Sequence, residues 1–185
     1  MKQKETSDVD VLVITGSINK KIKSGKYEII LISKTNIEKT LKTNILPLLP
    51  MLKEAKPIIN GGLIQEYGDI RLNKKNLRWH VDTTRSALKM QKAFISLAEL
   101  ENENIPDGIM YSLILRLREM YIVDCLKNNK KFTNEGLKKL ARDLTNSEES
   151  YEAYLRSKSN EKEQTKIKIE TAKKIYNYIK KKIKE

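Results

Sequence analysis

The chain has 185 residues, 33% of them charged, and 37 Lys and Arg against 24 Asp and Glu give a formal net charge of +13. This length suits one domain or two small ones, and no apolar run approaches a membrane span, so we expect a cytoplasmic protein without signal peptide or membrane segment. Abundant Ile, Lys and Glu are typical of thermophile proteins, although AT-rich genomes produce a similar bias.

Two aspartates open the first strongly apolar run, which extends from Ser7 to Ile14. Its β-branched and aliphatic residues predict a buried strand. Alternate side chains of a strand share one face, so Asp8 and Asp10 are expected to project together. Close carboxylates repel each other, and a divalent cation such as Mg²⁺ relieves that repulsion. The spacing suits a metal site, but the spacing alone does not favour it over the plainer interpretation of an acidic turn that leads into an ordinary core strand.

A second run, Lys26 to Ser33, also predicts a strand and carries one acid, Glu28, near its start. About a dozen residues connect the two runs, which suits neighbouring strands joined by a long hairpin or a small excursion. If the strands pair, Glu28 would lie beside the two aspartates. Three acids at the ends of adjacent strands can hold two metal ions around a transferring phosphoryl or nucleotidyl group.

These residues resemble the strands of the nucleotidyltransferase superfamily related to DNA polymerase β. The segment from Ser7 to Val13 is similar to the family's [ST]-D-[IV]-D strand, and Tyr27 to Leu31 is similar to the later strand with the third acid, which is usually Asp. The resemblance implies metal ligation by Asp8, Asp10 and Glu28, with Glu28 also able to activate the attacking hydroxyl. It further implies Mg²⁺ or Mn²⁺, an NTP substrate, and transfer of a nucleoside monophosphate to a nucleic acid, protein or other acceptor.

The family also has a Gly-Ser turn about a dozen residues before the aspartates, and the turn holds the nucleotide phosphates. Only seven residues precede Asp8 here, and Gly16-Ser17 follows the acids, so we interpret that pair as a turn between strands. A truncated copy, an incomplete gene model and a degenerate relative are the three explanations. Because the phosphate-binding turn is missing, we expect little or no transfer activity from this chain.

The rest of the first domain is predicted to be mixed. Asn36 to Leu41 indicates a short helix capped near Thr35 or Asn36, and Leu46 to Leu52 a second helix with a proline at its entry. Lys56 to Asn60 indicates an edge strand or an extended segment, and Gly61-Gly62 is expected to end the domain. We therefore assign residues 1–62 to the nucleotidyltransferase-like domain, which would be incomplete at its N-terminus, and residues 76–185 to a helical bundle.

Five helices are predicted in the second domain. The first runs from Leu77 to about Leu100, the second begins at Pro106, and Thr133, Ser147 and Asn160 precede the remaining three. The expected fold class is therefore α+β, with a small nucleotidyltransferase-like mixed sheet and helices followed by an all-α helical bundle.

Four side chains of the helical part are polar or reactive and are candidate functional residues. His80 and Asp82 lie two positions apart on a helix and point to different faces, so His80 is expected at the surface or in a cap. Arg116 is expected either to form a buried salt bridge or to reach a phosphate. Cys125 is the single cysteine, which excludes an internal disulfide, and it is expected in the core.

Lysines at the C-terminal end form the densest basic cluster: Lys180, Lys181, Lys182 and Lys184. Such a cluster is usually a solvated helix end, and it also suits contact with nucleic acid. The main alternative to an enzyme is therefore a non-catalytic module that binds nucleic acid or acts as an antitoxin-like partner of another protein. The oligomeric state is not indicated by the sequence.

Overall fold

The computed structural model describes residues 9–162 and 167–184. The chain divides into two compact units, residues 1–76 and 77–185, so the division falls at the end of the interval between Gly62 and Asn76 where a boundary was expected. The first unit holds a three-stranded sheet and three helices, and the second holds five helices within the described residues. The expected α+β class is confirmed.

The sheet contains β1 (Val9–Thr15), β2 (Lys20–Ser24) and β3 (Tyr27–Ser33), in the order β1-β3-β2. Strand β3 is central, parallel to β1 and antiparallel to β2, so the sheet is mixed. The connection between the two predicted strands is therefore the small excursion, and it contains β2. Gly25, in the turn after β2, has a φ of 56°, a conformation that glycine adopts without steric cost.

Three helices complete the first unit: α1 (Lys34–Thr43), α2 (Leu49–Glu54) and α3 (Gly61–Gly68). The cap of α1 is Ser33, whose side chain accepts a hydrogen bond from the Asn36 amide, so the expected cap position was two or three residues late. Pro50 lies in the first turn of α2 as expected. The Lys56–Asn60 segment forms no strand, and Gly61 begins a helix instead of ending the domain.

The second unit consists of α4 (Arg78–Glu101), α5 (Asp107–Lys127), α6 (Asn134–Thr145), α7 (Glu149–Lys158) and α8 (Ile169–Lys182). All five correspond to predicted helices. An isolated antiparallel bridge joins Ile105 to Ile167. Helix α5 packs against the other four and supplies fully buried Leu113, Ile114 and Leu117 to the core.

Local sequence signals set several of these boundaries. The Thr133 side chain accepts a hydrogen bond from the Gly136 amide and so caps α6 as predicted. Ser147 accepts from the Glu149 amide, although Glu148 is the N-cap residue of α7. Cys125 is buried, as expected. Within the described residues, every helix is too short or too polar to cross a membrane.

Candidate functional site

Two of the three predicted acids are direct neighbours on the sheet. Asp10 of β1 and Glu28 of β3 are register partners in the parallel ladder. Registered residues of paired strands project from the same face, about 4.8 Å apart in the direction of the hydrogen bonds. Asp10 is exposed, and Glu28 is half-buried. Asp8 lies outside the described residues.

Strand β2 extends this acidic pair into a row of charges across the sheet. Lys23 is the register partner of Glu28, so Lys23, Glu28 and Asp10 follow one another on the same face. Lys21 shares that face, and its Nζ lies 2.5 Å from Oε1 of Glu28. Sequence reasoning missed both lysines. The available signal was the alternation of Lys21, Ile22 and Lys23, which is typical of a half-exposed strand.

This arrangement can hold a hard cation beside an anion. Mg²⁺ prefers about six oxygen ligands and keeps several waters, so one or two carboxylates plus phosphate oxygens form an ordinary site. Asp10 and Glu28 are two such carboxylates, and the described residues contain no group of three or more His, Cys, Asp and Glu suited to a metal. The Lys21 ammonium group now neutralises Glu28, and a metal ion would compete with it for the same oxygen.

The Gly16-Ser17 turn lies at the other end of β1. It follows Thr15, whose hydroxyl donates to the Ile18 carbonyl and accepts from the Ile18 amide, and it leads into β2. The interpretation of this pair as a turn between strands is confirmed. Six residues separate Gly16 from Asp10, a distance of roughly 20 Å along an extended strand. The turn is therefore too far from Asp10 to bind phosphates of a nucleotide whose metal is held there.

The second unit contains a polar cluster that the sequence did not indicate. His80 is buried on α4, and its Nδ1 lies 3.0 Å from Oε2 of Glu119 on α5, so the expected surface or capping role for His80 is wrong. Arg116 donates from its NH1 group to both oxygens of Glu119, at 2.9 and 3.1 Å. The salt-bridge interpretation of Arg116 is therefore confirmed.

The charges in this cluster determine the state of its carboxyl group. Burial acts to raise the pKa of Glu119, but hydrogen bonds and charge from His80 and Arg116 outweigh it, so the pKa lies below its ordinary value. Glu119 is therefore ionised at neutral pH and fixes the orientation of the His80 ring. These contacts join α4 to α5, and a structural role accounts for them.

A basic stripe lies at the end of α8. Asn177, Lys180, Lys181 and Lys184 line a surface concavity of about 410 Å³. The four residues recur at helical spacing, so they share one face, and all four are exposed. Within residues 9–162 and 167–184, no salt bridge to a carboxylate involves these three lysines. The Lys180 ammonium group lies over the Tyr176 ring, 6.0 Å from its centroid. None of these lysines therefore has to leave a described carboxylate to contact an anion.

Comparisons with known proteins found no matching family model, curated protein or solved structure. The likeness to nucleotidyltransferases consequently rests on the residues of the two predicted strands.

Proposed function

We propose that the first unit binds a divalent cation, Mg²⁺ or Mn²⁺, together with an NTP, and that the chain is a nucleotidyltransferase-like protein. The observation that supports this proposal is the register of the sheet, which pairs Asp10 with Glu28 on one face. Strands β1 and β3 each contribute one carboxylate at the same position along the sheet, as two ligands of one metal ion must. The reaction of such a site would be the metal-dependent transfer of a nucleoside monophosphate to an acceptor hydroxyl, with pyrophosphate as the leaving group, and from the sequence we expect little or none of it in this chain.

Each charged residue of the row has a role in this proposal. Asp10 and Glu28, together with Asp8, ligate the metal, and Glu28 can also accept the proton of the attacking hydroxyl. Lys21 and Lys23 lie on the same face and bind the triphosphate, whose negative charge would otherwise be repelled by the acids. When the metal takes Glu28, the Lys21 ammonium group is free to move to a phosphate oxygen.

Calorimetric titration of the full chain with ATP, CTP, GTP and UTP, with and without Mg²⁺, tests the binding step. We expect binding that requires the metal and weakens at least tenfold in Asp10→Asn and in Glu28→Gln. Lys23→Met should weaken nucleotide binding while leaving Mn²⁺ binding intact. Glu54→Gln is the matched control, because Glu54 is an exposed acid on α2 of the same unit. Equal affinities with and without metal, or equal affinities in Asp10→Asn and Glu54→Gln, would refute the proposal.

The transfer step has its own test. The chain is incubated with labelled NTP, Mg²⁺ or Mn²⁺ and cell extract as the acceptor source, and incorporation of label into protein and RNA is measured. We expect little or no label above the background of Asp10→Ala. Label that enters one acceptor class with wild type and not with Asp10→Ala would contradict that expectation and identify the reaction. Binding without transfer would leave the unit as a metal-dependent nucleotide-binding module.

A second candidate function is binding of nucleic acid by the α8 stripe. Three exposed lysines on one helix face, in a chain of net charge +13, suit the phosphate backbone. Fluorescence anisotropy with single- and double-stranded oligonucleotides tests it. The Lys180→Gln, Lys181→Gln, Lys184→Gln variant should lower the salt slope of duplex binding by about 2 to 3, at about 0.9 per lost phosphate contact. The control replaces exposed Lys53, Lys56 and Lys74 of the first unit by Gln and removes equal charge.

A further inference from the structure

Asn60 is the only asparagine of the sequence that is followed by glycine, and both residues of this pair are exposed. They lie between Ile59, which is 77% exposed, and helix α3, which begins at Gly61. Asn60 is the N-cap residue of α3, but its side chain makes no capping hydrogen bond. Its φ of 53° is left-handed, a conformation that asparagine tolerates better than most residues. The carboxamide of Asn60 is therefore not fixed by the helix that it precedes.

The backbone amide after Asn60 differs from the amides after the other left-handed asparagines. Among the described residues, no backbone carbonyl accepts a hydrogen bond from the Gly61 amide, because the first amides of a helix have no partner within it. Four other left-handed asparagines lie at or just after the end of a helix, and the amide that follows each of them donates a hydrogen bond. The donors and acceptors are Glu103 and the Ala98 carbonyl, Lys130 and the Cys125 carbonyl, Ser147 and the Thr145 hydroxyl, and Glu161 and the Arg156 carbonyl.

We propose that Asn60 and Gly61 form a self-modification site, at which Asn60 deamidates through a cyclic imide. The Gly61 nitrogen loses its proton and attacks Cγ of Asn60, so a new C–N bond forms. The bond from Cγ to Nδ2 then breaks, and the leaving nitrogen takes up a proton and departs as ammonia. Water opens the imide in one of two ways: cleavage at Cγ gives an aspartyl residue, and cleavage at the backbone carbonyl gives an isoaspartyl residue. The reaction consumes water, releases ammonia and needs no oxidant or cofactor.

Glycine after Asn60 favours this reaction. Because Gly61 has no Cβ, the approach of its nitrogen to Cγ is unhindered, and its backbone adopts the conformation of ring closure without steric cost. Close packing does not require glycine here, since a Cβ at Gly61 would meet Pro57 only at ordinary contact distances of 3.6 and 3.7 Å. Alanine therefore fits at this position, and it can be used to slow the chemistry without disturbing the fold.

Both products add a negative charge at the start of α3, whose first turn contains no acidic residue. The aspartyl form suits this position, because a carboxylate can accept hydrogen bonds from the free amides and interacts favourably with the helix dipole. The isoaspartyl form lengthens the backbone by one carbon between Ile59 and Gly61, so it should disturb the first turn of α3. Deamidation would therefore divide the protein with time into two forms that differ at the start of this helix.

Peptide mass spectrometry of the full chain, sampled during incubation at neutral pH and physiological temperature, tests the proposal. The mass gain of amide-to-acid conversion should accumulate at Asn60 at least tenfold faster than at Asn146, which precedes serine. An isoaspartate methyltransferase should label the same Asn60 peptide. Gly61→Ala should slow the reaction at least tenfold. Gly62→Ala is the matched control and should leave the rate unchanged, because it keeps the Asn-Gly pair and its Cβ meets open space.

The same incubation in denaturing urea tests whether the fold leaves this pair reactive. Unfolding removes the hydrogen bond of the Ser147 amide, so Asn146 should deamidate faster than in the folded chain, whereas the rate at Asn60 should change less than tenfold. A rate at Asn60 no faster than at Asn146 in the folded chain, or equal rates in Gly61→Ala and Gly62→Ala, would overturn the proposal. A rate at Asn60 that rises more than tenfold on unfolding would show that the fold protects the pair, and would overturn it as well.

Discussion

The ion pair between Asp107 and Arg156 should be a principal stabilising contact of the helical unit. Asp107 lies in the first turn of α5 with its side chain buried, and its carboxylate accepts two hydrogen bonds from Arg156 of α7, at 2.8 and 2.9 Å. The Arg156 side chain is itself largely buried, at 17% exposure. The carboxylate raises the pKa of Arg156, because it stabilises the charged guanidinium group. The two residues are 49 positions apart and fasten α5 to α7.

The substitution Asp107→Asn keeps the shape of the side chain and removes its charge. It removes the hydrogen-bonded counter-ion of a mostly buried guanidinium group and leaves only the weaker charge interactions of Arg156 with Glu149 and Glu152. Breaking a buried pair in this way costs about 3 to 5 kcal/mol. Because Arg156 retains some exposure, we expect about 3 kcal/mol in the free energy of unfolding. For a unit of this size, that corresponds to a fall in melting temperature of roughly 12 °C or more.

Thermal and urea unfolding followed by circular dichroism measure this loss. The control is Glu148→Gln, which breaks the exposed pairs of Glu148 with Lys138 and Arg142 and should change stability little. Adding Arg156→Met to Asp107→Asn should cost much less than the sum of the single substitutions, since the uncompensated charge is gone. A loss in Asp107→Asn no larger than that in Glu148→Gln would refute the reasoning.

Three further predictions concern the charge or packing of named side chains. The pKa of Glu119 is lowered in the folded state, so its stabilising contribution is present above its unfolded pKa and is lost as pH falls through the folded value. The free energy of unfolding, measured from pH 7 to pH 3, should therefore decline more steeply in wild type than in Glu119→Gln. Gly136→Ala should destabilise the chain by about 1 kcal/mol in a urea titration, because the new Cβ would collide with the Tyr121 ring, which packs on Phe132. The control is Gly62→Ala on α3, whose Cβ meets open space and which should be neutral or stabilising in the same titration. Asp8→Asn with Asp10→Asn should leave the melting temperature unchanged or raised, since the change at Asp10 removes like charge beside Glu28, and a large fall would mean that the aspartates are structural caps.

Local signals predicted most of the fold. The β-branched run from Val9 gave β1, and Pro106 and Thr133 marked the starts of α5 and α6 because turn and cap chemistry is local. Strand β2 was missed because its exposed lysines resemble a loop, and its pairing depends on β3. Without β2, the spacing of β1 and β3 along the chain is equally consistent with a long hairpin.

Tertiary contacts account for the rest of what sequence reasoning missed. His80 looked like a surface residue by helical spacing, but Glu119, 39 positions away, satisfies its buried ring nitrogen. In the candidate metal site, Asp10 and Glu28 were predicted as neighbours, whereas Lys21 and Lys23 were not, because they reach the same face only through β2. Side-chain periodicity gives the face of each strand, and only the pairing of the strands determines which charges meet.

The most direct test of the proposed function is the position of a bound metal. A crystal of the full chain soaked with Mn²⁺ and a non-hydrolysable NTP should show one anomalous peak within about 2.2 Å of carboxylate oxygens of both Asp10 and Glu28. Lys21 should then have left Glu28 for a phosphate oxygen. A peak at other side chains only, or none at a Mn²⁺ concentration that saturates the protein in solution, would contradict the proposal.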